Sequence, residues 1–135
     1  SLYAQQAGLL LAKLAVQKDD LETAGAELET VLAQNPEAGI ELVARLRLAK
    51  VRYAQADYDA ALTLLNVDNT ASFVAAFEDL KGDALLAKGD TQLARAAYQL
   101  ALSKVLPEAS SQRELLEMKL NELQAPVAAD AGEDA

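Results

Sequence analysis

The stretch GDALLAKGDTQLARAAY, which spans residues 82–98, decides the fold of this chain. A small residue, Gly82, is followed seven positions later by a Gly-Asp turn. Ala94 lies four positions after that turn, and Tyr98 lies a further four positions along. Residues spaced by four share one face of a helix, and the distance between two packed helices depends on the side chains at their contact. The stretch therefore predicts two closely packed helices joined by a short turn.

The same pattern occurs twice more, upstream of this stretch. The alanines that follow the three turns stand at positions 24, 61 and 94, so they are 37 and 33 residues apart. This spacing is typical of the tetratricopeptide repeat, whose period is about 34 residues. The residues of the two upstream copies are Ala12, Asp19-Asp20, Ala24 and Leu28, then Ala49, Ala56-Asp57, Ala61 and Leu65.

The repeats predict an all-α fold, a right-handed α-solenoid of three tetratricopeptide repeats with a C-terminal capping helix. Each helix pair has an apolar face that it cannot bury alone, so neighbouring pairs must stack. The turn residues Asp20, Asp57 and Asp90 are expected to cap the helices that follow them. The alternative is an Ala/Leu-rich helical bundle in which the repeats are accidental.

We expect one domain over residues 1–124 and a disordered acidic tail over residues 125–135. Repeats are predicted at about 2–36, 38–68 and 71–106, with the capping helix at 108–124, where Pro107 and Glu108 suit the first turn. The tail combines proline, glycine and acidic residues with little to bury. The seven predicted helices cover residues 2–18, 20–34, 38–55, 58–66, 71–88, 90–105 and 108–124.

The composition excludes several classes of function. The 135 residues include 12 basic and 21 acidic side chains, for a net charge of −9, which disfavours binding to nucleic acid. Neither cysteine nor histidine is present, so the commonest general base and metal ligands are missing. We therefore predict no enzyme, no cofactor and no metal. The close carboxylates Asp19-Asp20 and Asp57/Asp59 are interpreted as helix caps.

No part of this chain is apolar enough to span a bilayer, because its apolar runs are short; the run at residues 9–12, for example, is followed at once by Lys13. The chain begins at Ser1, so we expect it to be a fragment, and any signal or anchor would lie upstream of it.

Tetratricopeptide arrays usually bind through the concave face that the first helix of each repeat lines. The alternative is that the C-terminal helix or a second copy fills this groove. The face lacks the Lys/Asn set with which other such domains clamp a C-terminal carboxylate. By register, the predicted partner-binding residues are Gln6, Leu9, Lys13, Gln17, Leu46, Lys50, Tyr53, Asp79, Asp83 and Leu86.

The one basic cluster consists of Arg45, Arg47, Lys50 and Arg52. It could be a patch for a partner, but we favour pairing with acids on neighbouring helices, such as Asp79 and Asp83 across the groove.

Two aromatic side chains, Phe73 and Phe77, are four residues apart at the start of a helix and should share one face. They could expose a contact site, but we favour packing on the preceding repeat. Tyr58 and Tyr98 are expected in the core.

Four stretches are more distinctive than a generic repeat. They are ARLRLAKV (44–51), FEDLKGDALLAKGD (77–90), ARAAY (94–98) and LLEMKLNEL (115–123). Together they resemble the periplasmic C-terminal domain of the YfgM-type family, the ancillary subunit of the bacterial SecYEG translocon.

The resemblance implies a longer protein with a short cytoplasmic N-terminus and one transmembrane helix. The repeat domain would lie at the periplasmic face of the inner membrane. It would associate with the SecYEG translocon and with a membrane-anchored, prolyl-isomerase-like (PpiD-like) chaperone, and would assist exported proteins.

We therefore interpret the chain as a non-enzymatic module for protein–protein interaction. The alternative is a tetratricopeptide scaffold that assembles another envelope complex or a homo-oligomer, for instance a homodimer.

Overall fold

The computed structural model describes residues 1–124, so the predicted tail at 125–135 lies outside the described residues. Within residues 1–124 the chain forms seven α-helices, and a 3-10 turn at Ala71–Phe73 precedes the fifth. The helices are α1 (Leu2–Gln17), α2 (Leu21–Ala33), α3 (Ala38–Ala54), α4 (Tyr58–Leu65), α5 (Val74–Ala87), α6 (Thr91–Lys104) and α7 (Ser110–Gln124).

The turns within the three helix pairs have the same geometry. Their central residues Asp19, Ala56 and Gly89 all adopt a positive φ, between 59° and 89°. In each turn the next N–H donates to the carbonyl oxygen five residues back, over 2.8–2.9 Å. This is the Schellman ending of a helix, which satisfies carbonyl groups left free at the C-terminus. The predicted turns therefore form one repeated backbone motif.

The aspartates after these turns all occupy the N-cap position. The Oδ1 atom of Asp20 accepts a hydrogen bond from the N–H of Thr23 at 3.1 Å. Hydrogen bonding from the side chain of Thr23, and then from its backbone, lowers the pKa of Asp20. Asp57 accepts one from Ala60 at 3.2 Å. Asp90 caps α6 by position but makes no side-chain bond to it. The predicted caps thus stand at all three places, with a capping bond at two.

Apolar packing runs along the stack as three successive clusters. The first joins α1, α2 and α3, the second joins α3, α4 and α5, and the third joins α5, α6 and α7. The small residues of the repeat pattern, from Ala12 to Ala94, lie buried at the crossings. Because each cluster involves only neighbouring helices, the core has the form expected of an α-solenoid.

The two predicted helix starts that differ most from the structure have local causes. The chain at Ala71–Phe73 is a 3-10 turn, so α5 begins at Val74. Helix α7 begins at Ser110 because the N–H of Ala109 donates to the carbonyl oxygen of Leu106 at 3.0 Å. Pro107 therefore occupies the second position of a tight turn, which proline also favours. The predicted boundaries of the repeats stay predictions.

The two phenylalanines pack inside the stack. Phe77 is buried in the second cluster, and Phe73 is half-buried against it. The packing interpretation is confirmed for this pair, as it is for Tyr98, whereas Tyr58 is only half-buried.

Within residues 1–124, no helix combines the length and the apolarity that crossing a membrane requires.

Candidate protein-binding groove

An open groove of about 320 Å³ lies between α1 and α3, with α2 beneath it. We call it the α1–α3 groove. Helix α1 contributes Ala12, Lys13, Val16 and Gln17, and α2 contributes Leu21 and Leu28. Helix α3 contributes Arg47, Lys50, Val51 and Ala54. Its lining is therefore mainly apolar, and its polar members are three basic residues and one amide.

The groove forms because its two walls have helical periodicity and small side chains. The α3 residues lie at positions i, i+3, i+4 and i+7, so they share one helix face. The α1 residues follow a similar pattern, with Ala12 at the bottom. Alanines at both walls leave space that larger side chains would fill.

Three of the predicted partner-binding residues meet in this groove, namely Lys13, Gln17 and Lys50. Lys50 also borders a second depression of about 170 Å³ together with Asp79 and Asp83. Half of the predicted set thus lies along two adjoining depressions.

The other five predicted residues lie outside both depressions. Leu46 is 8% exposed in the second cluster, so the prediction that it faces a partner is wrong, because this side of α3 packs on α4 and α5. Leu9 packs on the first cluster. Tyr53 is half-buried, with its ring centroid 5.5 Å from that of Tyr58. Gln6 and Leu86 are exposed.

The prediction omitted Arg47 and the apolar floor. A signal for them was present, because Arg47, Val51 and Ala54 share the helix face of Lys50. The register of single positions does not indicate these residues, whereas the helix face as a whole does.

The basic cluster on α3 divides into paired and unpaired members. Arg45 donates to Glu41 at 3.1 Å, and Arg52 forms an ion pair with Glu29. Within residues 1–124, Arg47, Lys50 and Lys13 form no ion pair. The two unpaired members of the cluster, Arg47 and Lys50, both border the α1–α3 groove, as does Lys13 of α1.

Asp79 and Asp83 pair with α7, not with the basic cluster. The Nζ atom of Lys119 lies 2.8 Å from Asp79 and 3.1 Å from Asp83. Burial lowers the pKa of Lys119, but the two carboxylates outweigh it, so the net shift is upward. The prediction of pairs between these aspartates and α3 is therefore wrong, because Lys119 of α7 lies within ion-pair distance of both carboxylates.

Tyr98 completes this cluster from α6. Its hydroxyl donates to Asp83 over 2.6 Å, and Lys119 lies 5.5 Å from its ring centroid. Burial raises the pKa of Tyr98, and the carboxylate of Asp83 raises it further. The acidic part of the concave face is thus occupied by an internal network, whereas the α1–α3 groove stays open.

Among the described residues, no three acidic side chains come close enough to hold a metal ion. The groove lining contains no carboxylate, hydroxyl or thiol side chain. An apolar floor with a basic border is suited to hold a surface that is itself apolar and acidic.

Comparisons with known proteins agree with the repeat pattern. The model of the tetratricopeptide repeat-like domain family matches residues 1–125. No solved structure matches the chain significantly.

Among curated proteins, the chain is similar to several named "Ancillary SecYEG translocon subunit". The Escherichia coli (strain K12) protein is 38% identical over 121 residues, which cover 90% of this chain and 58% of that protein. The Neisseria gonorrhoeae protein is 36% identical over 123 residues, which cover 91% of this chain and 58% of the relative. The Haemophilus influenzae protein is 33% identical over 121 residues, which cover 90% of this chain and 58% of that protein.

The chain thus spans somewhat over half the length of these relatives. The resemblance stated from the four distinctive stretches is confirmed, because these relatives carry the name of the family it indicated. With three helix pairs, one turn geometry and a family match over nearly its whole length, the chain belongs to the tetratricopeptide repeat-like domain family and is similar to ancillary SecYEG translocon subunits.

Proposed function

We propose that this chain is a non-enzymatic interaction module that acts as part of an ancillary subunit of the SecYEG translocon. It works at the periplasmic face of the bacterial inner membrane, together with a membrane-anchored, prolyl-isomerase-like chaperone, on exported proteins. The names of the relatives support the association with the translocon. The periplasmic side and the chaperone follow from the resemblance alone.

The main support for an interaction role is the α1–α3 groove. Its floor is apolar and open, and its basic residues are not neutralised by the chain's own carboxylates within residues 1–124. Unpaired charges beside an apolar surface favour a complementary partner. The same lining holds no carboxylate, hydroxyl, thiol or imidazole group.

Site-specific photo-crosslinking in native membranes tests this function. A photoreactive residue at Gln17, an exposed groove position, is expected to give adducts with translocon subunits or with a periplasmic chaperone, identified by mass spectrometry. The matched control is the same residue at Gln99, which is exposed on α6 outside both depressions. Equal adducts from both positions, or none from Gln17, would contradict a role for the groove.

A second candidate function is a scaffold that assembles through a second copy of this chain. Helix α1 has one charged residue, Lys13, and leaves large apolar side chains such as Tyr3, Leu10 and Leu14 exposed. In a chain of net charge −9, a face without carboxylates is one where two copies can meet with little repulsion. Crosslinks from Leu10 to a second copy, with no other adducts, would favour this candidate.

A further inference from the structure

We infer that the α1–α3 groove takes an acidic amphipathic helix of a partner protein, with an apolar stripe on the floor and carboxylates on both flanks. This inference rests on the proposed interaction role and specifies the chemistry of the partner.

The floor of the groove sets the apolar requirement. Leu28 and Val51 are almost fully buried at its base, and Val16 is 47% exposed along its wall. An exposed valine above an apolar base offers area that a second apolar surface can cover. The volume of about 320 Å³ admits a few side chains and not a folded domain.

The border of the groove sets the charge requirement. Lys13 stands on the α1 wall, and Arg47 and Lys50 stand on the α3 wall. Within residues 1–124 none of the three has an ion-pair partner. A partner with carboxylates on both sides of its apolar stripe would meet all three cations.

The neighbouring depression limits where the charge of the partner can lie. Asp79 and Asp83 border it, and Lys119 already pairs with both. A partner that extends past Lys50 toward α5 therefore meets two carboxylates, which repel acidic groups. The carboxylates of the partner helix are therefore expected to lie over α1 and α3.

The placement of the cations favours a helix over an extended segment. In a strand, successive side chains point to opposite faces, so residues beside the apolar ones would point away from the floor. In a helix, the residues next to the apolar stripe point sideways, toward the walls. Since the cations stand on both walls, the helix matches the groove, in the manner of known helix-in-groove complexes.

Fluorescence polarisation with a synthetic helix tests this inference on the full chain. The probe is a labelled, end-blocked peptide with Leu at i, i+3, i+4 and i+7, Glu beside this stripe and Ala elsewhere. We expect saturable binding that weakens in about 1 M NaCl, where the Debye length is about 3 Å. Peptides with Lys in place of Glu, or Ser in place of Leu, should bind at least about tenfold more weakly.

Variants with matched controls assign the binding to the groove. The double variant Arg47→Glu/Lys50→Glu should weaken binding by about tenfold or more. Lys81→Glu/Lys104→Glu changes net charge equally at exposed positions outside the groove and should leave binding unchanged. Val16→Asn should weaken binding, whereas Leu14→Asn, at a similarly exposed position outside the groove, should not.

Four results would overturn the inference. The first is equal binding of the Glu and Lys peptides, and the second is equal loss in the groove and control variants. The third is binding only after Asp130→Asn/Glu133→Gln/Asp134→Asn, which would assign the groove to the chain's own acidic segment. If the peptide does not bind but Gln17 still crosslinks in membranes, the interaction function stands and the partner chemistry is wrong.

Discussion

At the scale of single residues, Tyr98 determines how the third helix pair is held. It is 1% exposed, so its hydroxyl needs a partner, and Asp83 accepts its hydrogen bond at 2.6 Å. Asp83 also pairs with Lys119 of α7, so one carboxylate joins three helices. This network supports the fold, and its one cation offsets one of the two negative charges on the acidic part of the concave face.

Replacing Tyr98 with Phe is expected to lower the free energy of unfolding by about 1–3 kcal/mol, because Asp83 loses a hydrogen bond in a partly buried site. Urea unfolding at neutral pH measures the change. Tyr3→Phe is the matched control, since the Tyr3 side chain is 83% exposed and its hydroxyl therefore needs no partner within the protein. An equal effect of both variants would contradict the role of the network.

The stability of the chain should also fall in alkaline solution. The folded-state pKa values of Tyr98 and Lys119 are both raised, so the folded state holds protons that the unfolded state releases above about pH 10. Their contribution is complete below that pH and is lost as pH rises further. Urea unfolding between about pH 9 and pH 11 should show a smaller loss in Tyr98→Phe than in the unmodified chain. The same slope in both would exclude Tyr98 as a source.

At the scale of helices, close crossings depend on positions without a side chain. A Cβ atom on Gly82 would lie 2.4 Å from the ring of Tyr98, which is buried and held by Asp83. On Gly39, in the first turn of α3, a Cβ atom would meet only Glu37, at 3.8 Å. The two glycines therefore have opposite consequences when substituted.

We expect Gly82→Ala to lower the free energy of unfolding by about 1–2 kcal/mol, because overpacking outweighs the better helix propensity of alanine. Gly39→Ala should raise it by about 0.5 kcal/mol, because propensity acts there without a clash. Urea denaturation measures both variants. A stabilised Gly82→Ala protein would show that α5 and α6 do not cross as closely as the repeat pattern requires.

At the scale of the whole molecule, stability is distributed along the stack. The first cluster includes residues of α1 to α3, whereas the third includes residues of α5 to α7, and they share no helix. In such an array each unit is stabilised mainly by its neighbours. A destabilising substitution at one end of the stack should therefore lower local stability most at that end.

Leu116→Ala tests this distribution. Leu116 is a residue of α7 whose side chain is fully buried in the third cluster. Its truncation to alanine should therefore lower the free energy of unfolding by about 2–5 kcal/mol. Hydrogen exchange should show lost protection mainly in α5, α6 and α7. Leu115→Ala, one residue away at a 47% exposed position, is the control and should change little. Equal loss of protection in α1 would contradict the solenoid description.

Helix positions could be predicted from the sequence because their signals are local. The turn aspartates, the small residues and the apolar spacing each depend on neighbours within about one helical turn. The start of α7 was misplaced because Pro107 suits both the first turn of a helix and the second position of a tight turn. Only the hydrogen bond from Ala109 to Leu106 distinguishes the two.

The candidate site could be predicted only in part. Lys13, Gln17 and Lys50 were found because the register of a tetratricopeptide array places them on the concave face. Leu46 was placed there as well, yet it packs in the core, because helix α3 contacts α2, α4 and α5 and has little free surface. The repeat register alone does not show which face of a helix is covered by a neighbouring helix and which adjoining face stays exposed.

The sequence by itself determined the fold class, the number of helices within residues 1–124 and the family, since periodicity, turn residues and similarity are properties of the chain alone. Only the tertiary structure decided which charges are free. Asp79 and Asp83 are paired because α7 brings Lys119 to within 3.1 Å, and Arg47 and Lys50 are unpaired because no carboxylate in the described part of the chain reaches them. Charge pairing between helices depends on distances of a few ångströms between residues far apart in sequence, and only the packed stack sets those distances.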